Sequence, residues 1–128
     1  MSEFLIYRVE DQYNVGPYSN KTRFYRNELK EEFDSHDYGH PTVCNEFEDI
    51  WDYDWYAGFC SMDLLVEWFS DKFRTLLHEF DKSWKYEHMI AIYVVDSKHV
   101  HYGNQQLIFR QNEAELLTKI PITSKKLF

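Results

Sequence analysis

Residues 61–81 read SMDLLVEWFSDKFRTLLHEFD, and this stretch predicts the main helix of the fold. Its large apolar residues recur at intervals of three and four, the spacing that places them on one face of an α-helix. They are Leu65, Trp68, Phe69, Phe73, Leu76, Leu77 and Phe80. Ser61 is placed to cap the first turn, and Asp63 lies in that turn, where the helix dipole favours an acid. We therefore expect one amphipathic helix at about residues 62–81, packed on a sheet.

Strand patterns lie on both sides of this helix. Residues 4–9 alternate two sets of side chains, Phe4, Ile6 and Arg8 on one face and Leu5, Tyr7 and Val9 on the other. Residues 89–95 are apolar on both faces, as in a central strand that the helix covers. Residues 100–102 and 105–109 flank Gly103-Asn104, a dipeptide typical of tight hairpins. The predicted fold is an α+β domain with a mostly antiparallel sheet of about four strands and the helix on one face.

Two shorter helical stretches are also expected, at residues 22–33 and, for a single turn, at residues 113–117. Residues 34–58 show no sustained period and contain Gly39, Pro41 and Gly58, which predicts an irregular, acidic, aromatic-rich loop segment. The length of 128 residues predicts one globular domain over residues 1–128. With two cysteines and no leader pattern, a reducing cytoplasm is the expected compartment, and the longest apolar run, 89–95, is too short for a membrane span.

The negative charge of the chain is local. Residues 28–54 carry ten acidic side chains and one lysine, a net charge of −9, whereas the whole chain carries −8. Such a field repels nucleic acid and attracts basic surfaces. We therefore expect a basic protein surface as partner, and no direct binding to nucleic acid or membrane.

The densest part of this charge is interleaved with aromatic residues. Carboxylates spaced like phosphates can occupy a nucleic-acid-binding groove, and large aromatic side chains dominate interface energetics. The expected partner-binding residues are Glu46, Glu48, Asp49, Trp51, Asp52, Tyr53, Asp54, Trp55 and Tyr56. The alternative interpretation is a solvated acidic loop whose aromatic residues pack into the core.

Metal and catalytic patterns are weak. His36, His40, Cys44 and Cys60 could together bind zinc, but the chain has no closely spaced cysteine pair, so no metal or other cofactor is expected. His99 and His101 share one strand face and could act as general bases, yet no nucleophile motif accompanies them. No catalytic residue is assigned on this basis.

The chain resembles a family of small bacteriophage proteins in a series of short motifs that spans most of its length. They are YRVE (7–10), GPY (16–18), HP (40–41), FCS (59–61), LL (64–65), WF (68–69) and QQLIF (105–109). The resemblance implies a phage accessory protein in the host bacterial cytoplasm. Proteins of this kind often inhibit host enzymes or antiviral defence, and several are acidic mimics of nucleic acid.

Two alternatives stay open. The order Arg8, Ser61, Gln105 is similar to that of ADP-ribosyltransferases, which implies NAD-dependent chemistry, but Leu107 stands where those enzymes carry a glutamate. A nucleotide-sequestering pocket between helix and sheet would use Tyr7, Arg8 and His101. The plainer interpretation of Arg8 is a half-buried arginine that pairs with Glu10 or with an acid of the loop.

Overall fold

The computed structural model of the protein describes residues 3–14, 16, 47, 50, 55–84, 87–103 and 106–124. In these residues six strands and two helices form, and we number them in chain order. The strands are β1 (Glu3–Glu10), β2 (Trp55–Gly58), β3 (Met89–Asp96), β4 (Val100–Tyr102), β5 (Leu107–Arg110) and β6 (Ala114–Pro121); the helices are α1 (Met62–Trp68) and α2 (Asp71–Trp84). Short 3-10 turns occupy Ser97–His99 and Gln111–Glu113.

The described strands form two antiparallel sheets of three strands each. The first sheet has the order β1-β3-β6, and the second has the order β2-β5-β4. The predicted α+β class is confirmed, but the single sheet of about four strands is wrong. The chain leaves the first sheet at Asp96, whose side chain accepts a hydrogen bond from Lys98 N at 3.1 Å and so turns β4 away from β3.

The predicted single helix is also wrong, because the chain leaves helical geometry at Phe69. That residue is extended (φ −101°, ψ 91°) and buried, and the next residue, Ser70, caps α2 by accepting a hydrogen bond from Phe73 N at 3.2 Å. The predicted cap at Ser61 is confirmed, since its hydroxyl accepts from Leu64 N at 3.2 Å. The apolar period continues across the break because both helices contribute to one core.

The first sheet is covered on both faces. Tyr7, Val9, Ile90 and Ile92 pack against the two helices, in a cluster that includes Leu65, Trp68, Phe69, Phe73 and Leu77. Side chains of the opposite face pack on the second sheet, in a cluster of Ile6, Ala91, Tyr93, Val95, Val100, Leu107 and Phe109. The protein therefore has three layers in its described part, helices, first sheet and second sheet, and β3 is the central strand that its apolar sequence predicted.

The two sheets are hydrogen-bonded to each other where β2 ends. Tyr7 and Phe59 form an isolated antiparallel bridge in which each backbone N–H donates to the other residue's carbonyl at 2.8 Å. Gly58 makes this approach feasible, because a Cβ at that position would lie 2.6 Å from Ile6 Cγ2 and 3.1 Å from Tyr7 O. A residue without a side chain is thus required at the junction of the sheets.

The remaining expectations have mixed outcomes. The β4–β5 hairpin is confirmed, and Gly103 N donates to Gln106 O at 2.8 Å across its turn. The helical turn predicted at residues 113–117 is wrong, because β6 begins at Ala114 and pairs with β3. The strand β2 was not predicted. The helix expected at residues 22–33 lies outside the described residues.

We predict that Gly58→Ala destabilises the protein by about 1–3 kcal/mol, because the added methyl group overpacks the junction between the sheets. Urea unfolding measures this cost. In an Ile6→Ala background the same substitution should cost less, because the nearest obstructing atom belongs to Ile6. An equal cost in both backgrounds would show that the contact with Ile6 does not exist.

Candidate functional site

Arg8 is the polar residue around which the two sheets meet. Its position in β1 is opposite Ala91 in β3, and the small side chain of Ala91 leaves space for a guanidinium between the sheets. The Arg8 side chain is only 12% exposed. Its Nη1 donates a hydrogen bond to Ala57 O at 2.8 Å, and its Cζ lies 4.5 Å from the centre of the Tyr56 ring. One side chain of the first sheet thus binds the backbone and an aromatic ring of β2.

Glu10 supplies the countercharge for Arg8. Glu10 is fully buried, and one of its oxygens, Oε2, lies 3.9 Å from Arg8 Nε. The other oxygen, Oε1, accepts a hydrogen bond from the hydroxyl of Tyr93 in β3. Among the described residues, neither Arg8 Nε nor Glu10 Oε2 has a hydrogen-bond partner, so the pair interacts by charge at a short separation. The sequence offered Glu10 or an acid of the loop as the partner of Arg8, and in the described residues that partner is Glu10.

A tight turn returns the chain towards Arg8 after β1. Asp11 is buried, and its carboxylate accepts from Tyr13 N at 2.8 Å while its carbonyl accepts from Asn14 N at 3.0 Å. Asn14 has a φ of 65°, a left-handed conformation that asparagine tolerates better than most residues. Gly16 then lies so close to the arginine that a Cβ there would be 3.2 Å from Arg8 Nη2.

Arg8, Glu10, Tyr56 and Tyr93 form what we call the Arg8 cluster, and burial shifts the pKa of two of its members, Arg8 and Tyr93. Desolvation lowers the pKa of Arg8, and the charge of Glu10 is the main opposing influence. Burial, followed by the hydrogen bond to Glu10, raises the pKa of Tyr93 well above its ordinary value. Tyr93 therefore stays a hydrogen-bond donor to the carboxylate at any physiological pH.

The outer face of the second sheet holds a different set of side chains. Trp55, Ile108 and Phe47 form a small buried cluster there. The guanidinium of Arg110 stacks on Trp55, with Cζ 4.0 Å from the ring centre, and the His101 ring meets Trp55 edge-on at 5.1 Å between centres. The indole Nε1 of Trp55 is buried and has no hydrogen-bond partner among the described residues.

The structure places the two described members of the predicted partner-binding set on opposite faces of β2. Trp55 faces outward and is 7% exposed, whereas Tyr56 faces the first sheet and packs on Arg8 and Phe109. Both therefore hold β2 in place. The other seven, Glu46, Glu48, Asp49, Trp51, Asp52, Tyr53 and Asp54, lie outside the described residues.

The residues of the other hypotheses are not brought together. Of the transferase set, Arg8 is engaged between the sheets, Ser61 caps α1, and Gln105 lies outside the described residues. Of the nucleotide-pocket set, Tyr7 packs in the helix-facing core, Arg8 lies between the sheets, and His101 is exposed on the outer face.

Within the described ranges, no three His, Cys, Asp or Glu side chains are grouped to bind a metal. Of the zinc set, His36, His40 and Cys44 fall outside those ranges, and Cys60 is an exposed free thiol. The His99 ring nitrogen Nε2 lies 3.7 Å from the Glu113 carboxylate oxygen Oε2.

Sequence reasoning found Arg8 and Glu10 and missed Tyr93, whereas Tyr56 was expected to bind a partner and not to pack on Arg8. Tyr93 is the fifth residue of β3, whose sequence at residues 89–95 is otherwise apolar. Its hydroxyl is the only polar side-chain group of these residues. A polar group in a strand covered on both faces needs a partner, which is the signal that could have identified it.

The three layers and the Arg8 cluster make the described part of the chain a small α+β fold in which an arginine joins two antiparallel sheets. Neither helix in the described residues has the length and apolar character that a membrane span requires. The chain belongs to the Bacteriophage T4 Y00F protein family, whose family model matches residues 1–123. The predicted resemblance to a small phage protein family is thereby confirmed. No curated protein and no solved structure shows a significant match to the chain.

We predict that the free energy of unfolding falls above a pH of about 10, where tyrosines of the unfolded chain ionise. The raised pKa of Tyr93 means that the unfolded state loses this proton first, so its stabilising contribution is present below that pH and is lost as the pH rises further. Urea unfolding between pH 8 and 11 measures the slope. Tyr93→Phe should make it shallower by up to about 1.4 kcal/mol per pH unit.

Tyr13 provides the control, because its side chain is 63% exposed. The slope of Tyr93→Phe is therefore compared with that of Tyr13→Phe, which also removes one tyrosine hydroxyl. Equal slopes for wild type and Tyr93→Phe would mean that Tyr93 is not buried against Glu10.

Proposed function

We propose that this phage protein acts in the host bacterial cytoplasm by binding and inhibiting a host or antiviral-defence factor through the acidic run, residues 46–54. The observation that carries the proposal is the charge itself. Residues 28–54 hold a net charge of −9, and within them residues 48–54 include four acids and no base. A concentration of this kind costs free energy through self-repulsion unless a partner of opposite charge compensates it.

The described residues support the proposal by showing how the acidic run is attached. Phe47, near its start, and Trp55, directly after its end, pack together against Ile108 of β5. Between these two buried anchors, Ile50 is 40% exposed. The residues on either side of 48–54 are therefore fixed to the same sheet, which limits the entropy that the run would lose on binding.

The residues of the predicted partner-binding set divide into those that anchor the run and those that contact the partner. Trp55 and Tyr56 anchor the run, because the first is buried and the second packs under Arg8. Contact with the partner then falls to the carboxylates Glu46, Glu48, Asp49, Asp52 and Asp54, with Trp51 and Tyr53 as candidate hydrophobic contacts. A nucleic-acid-binding groove is the basic surface that spaced carboxylates would fit best.

The test begins with a host protein that immobilised wild-type chain retains from a bacterial extract. We predict that replacing the five carboxylates by their amides, as Glu→Gln and Asp→Asn, weakens binding of that purified protein at low salt by about tenfold or more. The loss should shrink as salt is added, since screening removes the same attraction. Titration calorimetry at two salt concentrations measures both effects.

A matched control removes five acidic charges elsewhere. Glu3, Glu67, Glu79, Glu87 and Glu115 are all exposed and lie away from the acidic run in sequence. Their joint replacement by glutamine should change affinity far less. If both variants lose the same affinity, only net charge matters; if neither does, the acidic run is not the binding surface.

A further inference from the structure

We propose that Arg8 is a positioning residue for the acidic run, because its guanidinium binds β2 directly after residues 17–54, the segment that contains this run, and lies beside Gly16, directly before that segment. The inference rests on the proposed function for its biological meaning. Its structural basis lies entirely in β1, β2 and the turn at residues 11–16.

On the side where the segment begins, Gly16 lies beside the guanidinium with little room for a side chain, since a Cβ there would be 3.2 Å from Arg8 Nη2. The bonding contacts are on the side where the segment ends. Ala57 O accepts from Arg8 Nη1 at 2.8 Å, and the Tyr56 ring lies 4.5 Å from Arg8 Cζ. A single planar group therefore binds residues 56 and 57 and has Gly16 beside it.

The cation itself is firmly held. Arg8 lies within the β1–β3 ladder, which pairs all eight residues of β1, and Glu10 next to it is fixed by Tyr93. A buried charge cannot leave its countercharge without a large desolvation penalty. The residues bound by Arg8 are thus attached to β1, a strand whose eight residues are all paired with the central strand β3.

The geometry requires arginine and not merely a positive charge. A guanidinium can stack one face on Tyr56 while its edge donates to Ala57 O, whereas an ammonium group is a point charge without a flat face. Arg8→Lys should therefore keep the charge beside Glu10 and lose the attachment of β2. The Arg8→Lys variant therefore distinguishes two roles of Arg8: holding β2 in place, which needs the guanidinium, and neutralising Glu10, which needs only the charge.

Arg74 provides a matched control. It is also buried, and it donates to the carbonyls of Phe69, Ile122 and Ser124, at the opposite side of the first sheet from the second sheet. Arg74→Lys removes the same guanidinium geometry without touching residues 16, 56 or 57. Gly16→Ala is a second, milder test of the same contact, because it adds one methyl group against Arg8 Nη2.

The experiment is hydrogen exchange of the full chain, combined with affinity for the retained host protein. We expect Arg8→Lys to raise exchange at the amides of residues 56–59 by about tenfold or more while the β3–β6 ladder stays protected. Affinity should fall about three- to tenfold, because β2, which directly follows the run, is held less firmly and more entropy is lost on binding. Gly16→Ala should change both in the same direction by less, and Arg74→Lys should change neither.

Unchanged exchange at residues 56–59 in Arg8→Lys would overturn the positioning role, whatever happens to binding. Raised exchange with unchanged affinity would overturn its link to the partner. Because the exchange measurement needs no partner, it still decides the role of Arg8 if neutralising the acidic run shows the proposed function to be wrong.

Discussion

A buried positive charge between two sheets is the constraint on which the rest of this structure depends. Arg8 lies opposite Ala91, where a larger residue would fill its space, and beside Glu10, which carries the compensating charge. A buried ion must be paired or it destabilises the fold by several kcal/mol. The arginine therefore fixes Glu10, and Glu10 in turn fixes the hydroxyl of Tyr93 in the central strand.

The same charge organises the second sheet. The N–H donors of Arg8 need an acceptor, and Ala57 O in β2 supplies one, while the missing side chain at Gly58 allows β2 to come close enough. The reciprocal hydrogen bonds of Tyr7 and Phe59 then complete the junction. Strand β2 begins directly after the acidic run. The hydrogen bond from Arg8 to Ala57 O therefore also fixes the chain just after that run. This attachment of β2 is the basis of the positioning role that we propose for Arg8.

The sequence predicts those parts of this structure that depend on periodicity or on local capping. The strand at Phe4 to Val9, the two-faced strand β3, the Ser61 cap and the hairpin at Gly103 all follow local rules. The helix break does not, since Phe69 keeps the apolar period while leaving helical geometry for a packing position in the core. Likewise β2 has only four residues, and it is a strand because β5 and Arg8 bind it, so no local pattern marks it. The pairing of Arg8 with Glu10 was predictable from their spacing of two, whereas the role of Tyr93 requires knowledge of which strands are neighbours.

The most direct test of this account is a double-mutant cycle on Arg8 and Glu10, measured by equilibrium urea unfolding at neutral pH. Arg8→Met leaves Glu10 buried without its countercharge and should cost about 3–5 kcal/mol. Adding Glu10→Gln should recover much of that loss, because no buried charge then remains uncompensated, so the double variant should be more stable than the sum of the single effects implies. If the two single effects simply add, Arg8 and Glu10 are not a coupled buried pair, and the arginine does not join the sheets as described.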